Sequence, residues 1–185
     1  MILSLNPEKR RYAAYILRRL GAYIVDVTLL MVAVQAFQWG LMALTGGFPF
    51  AQLTALNNGW LIYNWMLLTV SLPIWLYFIL FERGSRQATP GKRLLRLQVT
   101  SENGERPSWP QLLARTVLKL LPWEIYHLAF MLPVPLLSDP TPGFRPGFVV
   151  GAVVLLLYLL VLVQPPARQS IHDLIARTAV VSNHR

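Results

Sequence analysis

The feature that most constrains this chain is a long apolar segment that contains an aspartate. Residues 20–44 are predominantly apolar and long enough to cross a bilayer, since a membrane-spanning helix needs roughly 20 residues. Asp26 lies inside this segment, where an ionised carboxylate costs roughly 2.5–3.5 kcal/mol on insertion scales. Such groups usually face the interior of a helix bundle. We therefore expect the rest of the chain to supply a partner for Asp26.

The nearest candidate partner is Arg19, which precedes Asp26 on the same predicted helix. At about 100° per residue the two side chains fall on nearly the same helical face, roughly 10 Å apart along the axis, with Tyr23 between them. An Arg19–Asp26 ion pair would neutralise the carboxylate. Two roles stay open for this pair: a working site, or a buried pair that only fixes helix packing.

Composition places the chain among integral membrane proteins. Only 14% of its residues are charged, whereas soluble domains contain about 25%, and the mean hydropathy is +0.46. The pattern predicts an all-α integral membrane protein, a four-transmembrane-helix bundle with a short cytoplasmic two-stranded element. The whole chain, residues 1–185, is expected to form this one domain. Its four helices are predicted at about residues 12–44, 60–81, 109–132 and 148–164.

The distribution of the net charge of +9 predicts the membrane topology. Lysines and arginines cluster before the first helix, in the connection 83–107 and in the tail 165–185, whereas the loop after the first helix contains none. Cytoplasmic loops carry an excess of lysine and arginine. We therefore expect a multi-pass protein of the cell membrane, with both termini in the cytoplasm and anionic lipid headgroups at that face. Nucleic acid is not an expected partner, because the basic residues do not form one patch.

Two short segments on the expected cytoplasmic side have the composition of strands. Residues 97–100 partly alternate between apolar and polar side chains, and a tight-turn signal, Asn103-Gly104, follows them. Residues 178–181 have the same character. Because a single isolated strand pair is only marginally stable in water, we expect these two segments to pair against the helices.

Several polar residues outside the first helix are secondary candidates. Glu124 and His127 form an i, i+3 pair that relays protons if it lies within the membrane, or makes ordinary polar contacts if it lies at the aqueous boundary. Lys92 ends a Thr-Pro-Gly-Lys stretch that lacks the flanking sequence of a phosphate-binding loop. This stretch is expected to be a turn, with an anion or headgroup contact as the alternative. His172 is expected to form a helix-start or surface pair with Asp173, rather than to act in catalysis.

Three stretches together resemble the RDD family of small membrane proteins, which is named for one arginine and two aspartates. They are Arg18-Arg19-Leu-Gly-Ala-Tyr-Ile-Val-Asp26, the central segment 89–108, and the closing segment 169–181. Their order and spacing both agree with the family pattern. The resemblance implies a membrane protein for which transport of some ligand has been suggested. It also implies that the namesake positions are Arg19, Asp26 and Asp173. Glu124 and His127 lie outside the pattern.

Two functions are compatible with these features. The first is a small transporter or ion/proton exchanger, in which Asp26 accepts a monovalent cation or a proton and Arg19 modulates its charge. Four helices offer little room for a substrate path, so a transporter of this length is expected to be a homo-oligomer. The second is a non-catalytic scaffold or accessory subunit, in which Arg19, Asp26 and Asp173 close a polar clasp. A transport site would open Asp26 to a cavity, whereas a clasp would not.

Enzymatic activity is not expected. The chain lacks an HExxH motif and a nucleophile elbow, and its three histidines do not cluster for metal binding. It contains no cysteine, which excludes thiol catalysis and thiolate metal sites. Neither a cofactor nor a metal ion is therefore predicted.

Overall fold

The computed structural model describes residues 7–47, 50–164 and 169–183, so the predicted tail 165–185 is described only in part. The described residues are mostly helical. A π-helical turn, Leu67–Ser71, joins the third and fourth helices. The helices are α1 (Pro7–Thr45), α2 (Phe50–Ala55), α3 (Gly59–Met66), α4 (Leu72–Arg83), α5 (Pro90–Leu94), α6 (Trp109–Met131), α7 (Pro146–Leu162) and α8 (Ile171–Ala176). The strands are β1 (Leu97–Ser101) and β2 (Thr178–Ser182).

Three helical stretches are long and apolar enough to cross a membrane: Arg10–Thr45, Gly59–Arg83 and Trp109–Ser138. The prediction of long apolar helices at these places is confirmed. The fourth predicted helix corresponds to α7, which is apolar but only 17 residues long. The structure therefore supports a mostly helical membrane protein.

Two prolines lie within the long helices and have different local surroundings. Pro73 follows the π-helical turn that contains Thr69. In a regular α-helix its ring would crowd the carbonyl of residue 69 and leave that carbonyl without a donor, so the irregular turn lies where the proline requires it. Pro122 lies inside α6, which continues through it as one helix.

The two strands pair in antiparallel fashion, with Val99 opposite Val180. This confirms the predicted pairing of the two strand-like segments. Leu97, Val99 and Val180 are buried in one apolar cluster with Tyr15 of α1, and the Tyr15 hydroxyl donates a hydrogen bond to the Val180 carbonyl at 2.7 Å. The sheet is thus stabilised by packing against a helix, as a two-stranded element requires.

The residues group into two compact units. Unit 1 comprises Met1–Leu29, Tyr77–Leu118 and Tyr158–Arg185, and unit 2 comprises Leu30–Leu76 and Lys119–Leu157. Unit 1 contains the sheet, α5, α8 and the three residues Arg19, Asp26 and Asp173. Among the described lysines and arginines, only Lys119 and Arg145 belong to unit 2. Most of the basic charge therefore lies in unit 1.

Candidate functional site

Asp26 is buried in unit 1, with 1% of its surface exposed. Its Oδ1 accepts hydrogen bonds from the Tyr77 hydroxyl at 2.7 Å and from the Gly91 backbone N–H at 2.8 Å. Its Oδ2 accepts a third from the Thr89 hydroxyl at 2.5 Å. Arg19, the expected partner, instead pairs with an aspartate near the carboxyl end of the chain. Asp26 is thus held by neutral donors from three positions distant in sequence.

The short helix α5 presents two of these donors to Asp26. Thr89 is its N-cap and also accepts a bond from the Lys92 N–H, while Pro90 occupies the first helical position, where its fixed φ is favourable. A side chain at Gly91 would collide with the Ala22 carbonyl, and its Cβ would lie 2.9 Å from the Asp26 carboxylate. The segment predicted as a turn is therefore a short capped helix whose glycine allows close backbone approach to Asp26.

Arg19 pairs with Asp173, the second aspartate of the predicted cluster. The distance from Arg19 Nη2 to Asp173 Oδ2 is 2.6 Å, and Arg19 Nη1 also donates to the Tyr15 hydroxyl at 3.4 Å. Asp173 is fully buried and closes the capping box of α8, because its Oδ2 accepts the Ser170 N–H at 3.0 Å. One carboxylate therefore caps α8 and ties it to α1.

Glu82 and Arg115, which sequence reasoning did not select, join these residues. Glu82 is 0% exposed, and its two oxygens pair with Lys92 Nζ at 2.7 Å and Arg115 Nε at 3.0 Å. Arg115 Nη1 contacts Asp173 Oδ1 and donates to the Thr178 hydroxyl at 3.1 Å. Arg115 thus bridges two buried carboxylates and the first residue of β2.

Together these contacts form a continuous row of alternating charge, which we call the ionic chain. Its order is Lys92, Glu82, Arg115, Asp173 and Arg19. With Asp26 included, the formal charges of this region balance, with three positive and three negative groups. Because buried charges are tolerated when they are paired and hydrogen-bonded, the balance explains how six ionisable side chains occupy the interior of unit 1.

The absence of Glu82 and Arg115 from the sequence prediction has a simple cause. Glu82 stands next to Arg83 at the end of an apolar segment, a position typical of a solvated helix end. Arg115 lies in a stripe with Gln111 and Lys119 at i, i+4 spacing, a pattern typical of an exposed helix face. One signal was present: both polar residues adjoin apolar runs, so both were candidates for burial.

Two secondary candidates lie beside the ionic chain. His172 is buried, with Nε2 3.7 Å from Asp173 Oδ2 and its ring centroid 5.7 Å from that of Tyr158. It packs at the start of α8 and is not a surface group. Tyr23, one turn before Asp26 on α1, is half-buried. Lys92, the remaining candidate in unit 1, is a member of the ionic chain.

The Glu124–His127 pair forms a separate polar group in unit 2. His127 Nδ1 lies 3.6 Å from Glu124 Oε2, and the Tyr63 hydroxyl donates to the same oxygen at 3.4 Å. Ser71 and Trp75 also interact with this carboxylate, although neither the Ser71 hydroxyl nor the Trp75 indole N–H meets hydrogen-bond geometry with any residue that the structure describes. Ser71 is only 2% exposed, so its hydroxyl is buried.

The buried carboxylates of unit 1 and the Glu124–His127 pair of unit 2 differ in the contacts that their oxygen atoms make. In unit 1 each carboxylate oxygen of Asp26, Glu82 and Asp173 contacts a protein donor or cation. The contacts of the Glu124–His127 pair in unit 2 are longer, at 3.4 and 3.6 Å. The buried Ser71 hydroxyl beside this pair makes no hydrogen bond of standard length and angle to a described residue. Among the described residues, no group of three or more histidine, aspartate or glutamate side chains is placed to hold a metal ion.

Comparison with known proteins agrees with this arrangement. Neither a search of curated proteins nor one of solved structures gave a significant match. The family model of the RDD family matches residues 13–177, which is most of the chain and includes every residue of the ionic chain together with Asp26. The protein therefore belongs to the RDD family.

Proposed function

We propose that this protein is a non-catalytic membrane scaffold or accessory subunit, and that Asp26 and the ionic chain form its structural clasp. One observation carries the proposal: the Asp26 carboxylate is buried and accepts three hydrogen bonds, from Tyr77, Thr89 and Gly91. A transport carboxylate needs a face open to its ligand. A clasp needs the opposite, a carboxylate whose bonds join distant segments.

The clasp links nearly every segment of unit 1. Asp26 joins α1 to α4 and α5, Glu82 joins α4 to α5 and α6, and Asp173 joins α8 to α1 and α6. Buried ion pairs contribute little net stability compared with apolar packing, but they fix which groups meet. The proposed role of the clasp is therefore to specify one arrangement of helix ends and strands.

We further propose that the protein crosses the cell membrane four times, with both termini in the cytoplasm. Helix α7 has 17 residues, the lower end of the roughly 17–25 that cross a bilayer, and exposes large apolar side chains such as Val149, Val153 and Leu156. The confinement of described basic residues, apart from Lys119 and Arg145, to unit 1 supports a cytoplasmic face in contact with anionic headgroups.

The clasp is tested by flux and stability measurements on the same purified samples. In proteoliposomes, the wild type should show no flux driven by gradients of Na⁺, K⁺ or H⁺. Asp26→Asn and Asp173→Asn should lower the unfolding midpoint in detergent, whereas Glu105→Gln, at an exposed position, should not. Ion flux in the wild type that Asp26→Asn abolishes without changing the midpoint would overturn the clasp in favour of transport.

A second candidate function, proton-coupled exchange by a homo-oligomer, is favoured by the polar group of unit 2. The buried Ser71 hydroxyl lies beside the Glu124 carboxylate, but it makes no hydrogen bond of standard length and angle to a described residue. Buried polar groups are normally satisfied by protein or by ordered water, so this position is suited to a water molecule or a transferable proton. The Trp75 indole, which can only donate, favours a proton over a bare cation.

The two candidates are separated by Glu124→Gln. If exchange occurs, this variant should abolish proton-driven flux, while Asp139→Asn, a second acidic substitution in unit 2 at a residue paired with Arg145, should retain it. Chemical cross-linking of the reconstituted protein should then yield a homo-oligomer. Wild-type vesicles that hold a proton gradient as tightly as empty vesicles, with Na⁺ or K⁺ supplied on the opposite side, would overturn exchange and leave the scaffold as the function.

A further inference from the structure

The surface of unit 1 contains a recess whose lining includes three arginines. The recess has a volume of about 540 Å³, and its lining includes Arg86, Arg93, Arg96, Gln98 and Asn183. No acidic residue lines it. Its volume falls within the roughly 300–1,000 Å³ of typical small-ligand sites.

The recess differs from the ionic chain because no acidic residue lies in its lining. The cations of the ionic chain, Lys92, Arg115 and Arg19, each contact a carboxylate. None of the three recess arginines forms an ion pair with a carboxylate of a residue that the structure describes. Three like charges around one concavity raise its positive potential, and clefts of one charge sign concentrate the opposite ion.

Arg93 is held in place before any ligand arrives. Its Nε donates to the Ala88 carbonyl at 2.9 Å, and its guanidinium carbon lies 5.2 Å from the centre of the Phe81 ring. These contacts leave the terminal Nη atoms to donate elsewhere. A fixed guanidinium loses less conformational entropy on binding and offers a planar pair of donors that matches a phosphate group.

The backbone of the recess is also conformationally unusual. Gln87 and Arg96 both have positive φ, at 49° and 54°, a region that non-glycine residues seldom adopt. Backbone hydrogen bonds hold both residues, because the Gln87 carbonyl accepts the Val99 N–H at 2.8 Å and the Arg96 carbonyl accepts the Asn183 N–H at 2.7 Å. Backbone held in such regions is found at binding sites more often than elsewhere.

From the three arginines in this lining and the absence of an acidic residue there, we infer that the recess binds a phosphate-bearing anion through Arg86, Arg93 and Arg96. Leu94, between two of these arginines in the sequence, is 69% exposed, which suits a site beside a membrane surface. The phosphate can belong to the headgroup of an anionic lipid or to a soluble phosphorylated compound. The site is distinct from the clasp, so either proposal can fail while the other stands.

The test uses the full-length protein in nanodiscs, with its thermal unfolding midpoint as readout. In nanodiscs of neutral phosphatidylcholine, millimolar inorganic phosphate or pyrophosphate should raise the midpoint of the wild type. The double variant Arg86→Gln/Arg96→Gln should bind at least about tenfold more weakly, because it removes two of the three cationic groups that would bond to the phosphate. Arg106→Gln/Arg177→Gln removes the same charge from exposed positions outside the recess and should bind like the wild type.

Nanodiscs that contain phosphatidylglycerol distinguish the two sources. If the natural ligand is a headgroup, anionic lipid alone should raise the midpoint of the wild type but not of the recess variant, and added phosphate should have no further effect. If it is soluble, phosphate should act equally in both lipids. Equal responses of the recess variant and its charge-matched control to phosphate and to anionic lipid would overturn the site.

Discussion

At the scale of single residues, the buried carboxylates of unit 1 differ in the partners they use. Asp26 is held by a tyrosine, a threonine and a backbone N–H, whereas Glu82 and Asp173 each contact two cations. Loss of one partner from a buried pair leaves a charge without compensation. The ionic chain should therefore be most sensitive at its shared members.

Glu82→Gln is expected to be strongly destabilising. The substitution keeps the shape of the side chain but leaves the cations of Lys92 and Arg115 facing a neutral amide. Breaking a buried pair in this way costs about 3–5 kcal/mol, and the free energy of unfolding in detergent measures the loss. The matched variant Glu105→Gln, at an exposed position, should change it by less than about 0.5 kcal/mol. Similar values for both variants would contradict the ionic chain.

Gly91→Ala tests the close approach of α5 to α1. The new methyl group meets the Ala22 carbonyl and the Asp26 carboxylate, and overpacking of this kind costs about 1–3 kcal/mol. Gly40→Ala is the control, because Gly40 lies in α1 with no atom within 4 Å of the added Cβ. There the substitution should be neutral or stabilise the helix by up to about 1 kcal/mol. A tolerated Gly91→Ala in unfolding experiments would show that the contact adds no constraint.

At the scale of elements, the local sequence pattern predicted the helices and the strands but not the contacts between distant segments. The apolar segments gave helices close to their expected limits, and partial alternation predicted the partners β1 and β2. Helical spacing could not reveal the partners of Asp26, because Tyr77, Thr89 and Gly91 approach it through tertiary packing. Likewise, the sequence around Glu82 is typical of a solvated helix end. Its burial depends on the tertiary contact with Arg115 of α6, which the local sequence does not reveal.

The strand register can be tested with an engineered disulfide, because the chain contains no cysteine. Gln98 lies opposite Val181, so Gln98→Cys/Val181→Cys should cross-link under mild oxidation. Gln98→Cys/Ala179→Cys places the thiols diagonally, roughly 7–8 Å apart on the same face, and should cross-link much less. A faster gel mobility that reverts on reduction measures the bond. Preferential cross-linking of the diagonal pair would mean a register shifted by two residues.

At the scale of the whole molecule, the distribution of charge and the number of crossings depend on each other. The described basic residues other than Lys119 and Arg145 belong to unit 1, and the positive-inside bias assigns such residues to one side of the membrane. Both β strands can lie on the same side of the membrane as the basic amino-terminal segment only if an even number of crossings separates each strand from the amino terminus. Whether α7 crosses the membrane therefore decides the topology. Its 17 residues are near the lower limit for a crossing.

Cysteine labelling in intact cells tests α7 directly, again because the chain lacks cysteine. Single cysteines are placed at Asn103 after β1, at Gly143 before α7 and at Ile175 in α8, all at exposed positions. With four crossings, a membrane-impermeant maleimide should label Gly143→Cys in intact cells, whereas Asn103→Cys and Ile175→Cys should react only after permeabilisation. If α7 does not cross, Gly143→Cys and Ile175→Cys should react alike. That result would contradict both the four crossings and the cytoplasmic location proposed for the carboxyl terminus.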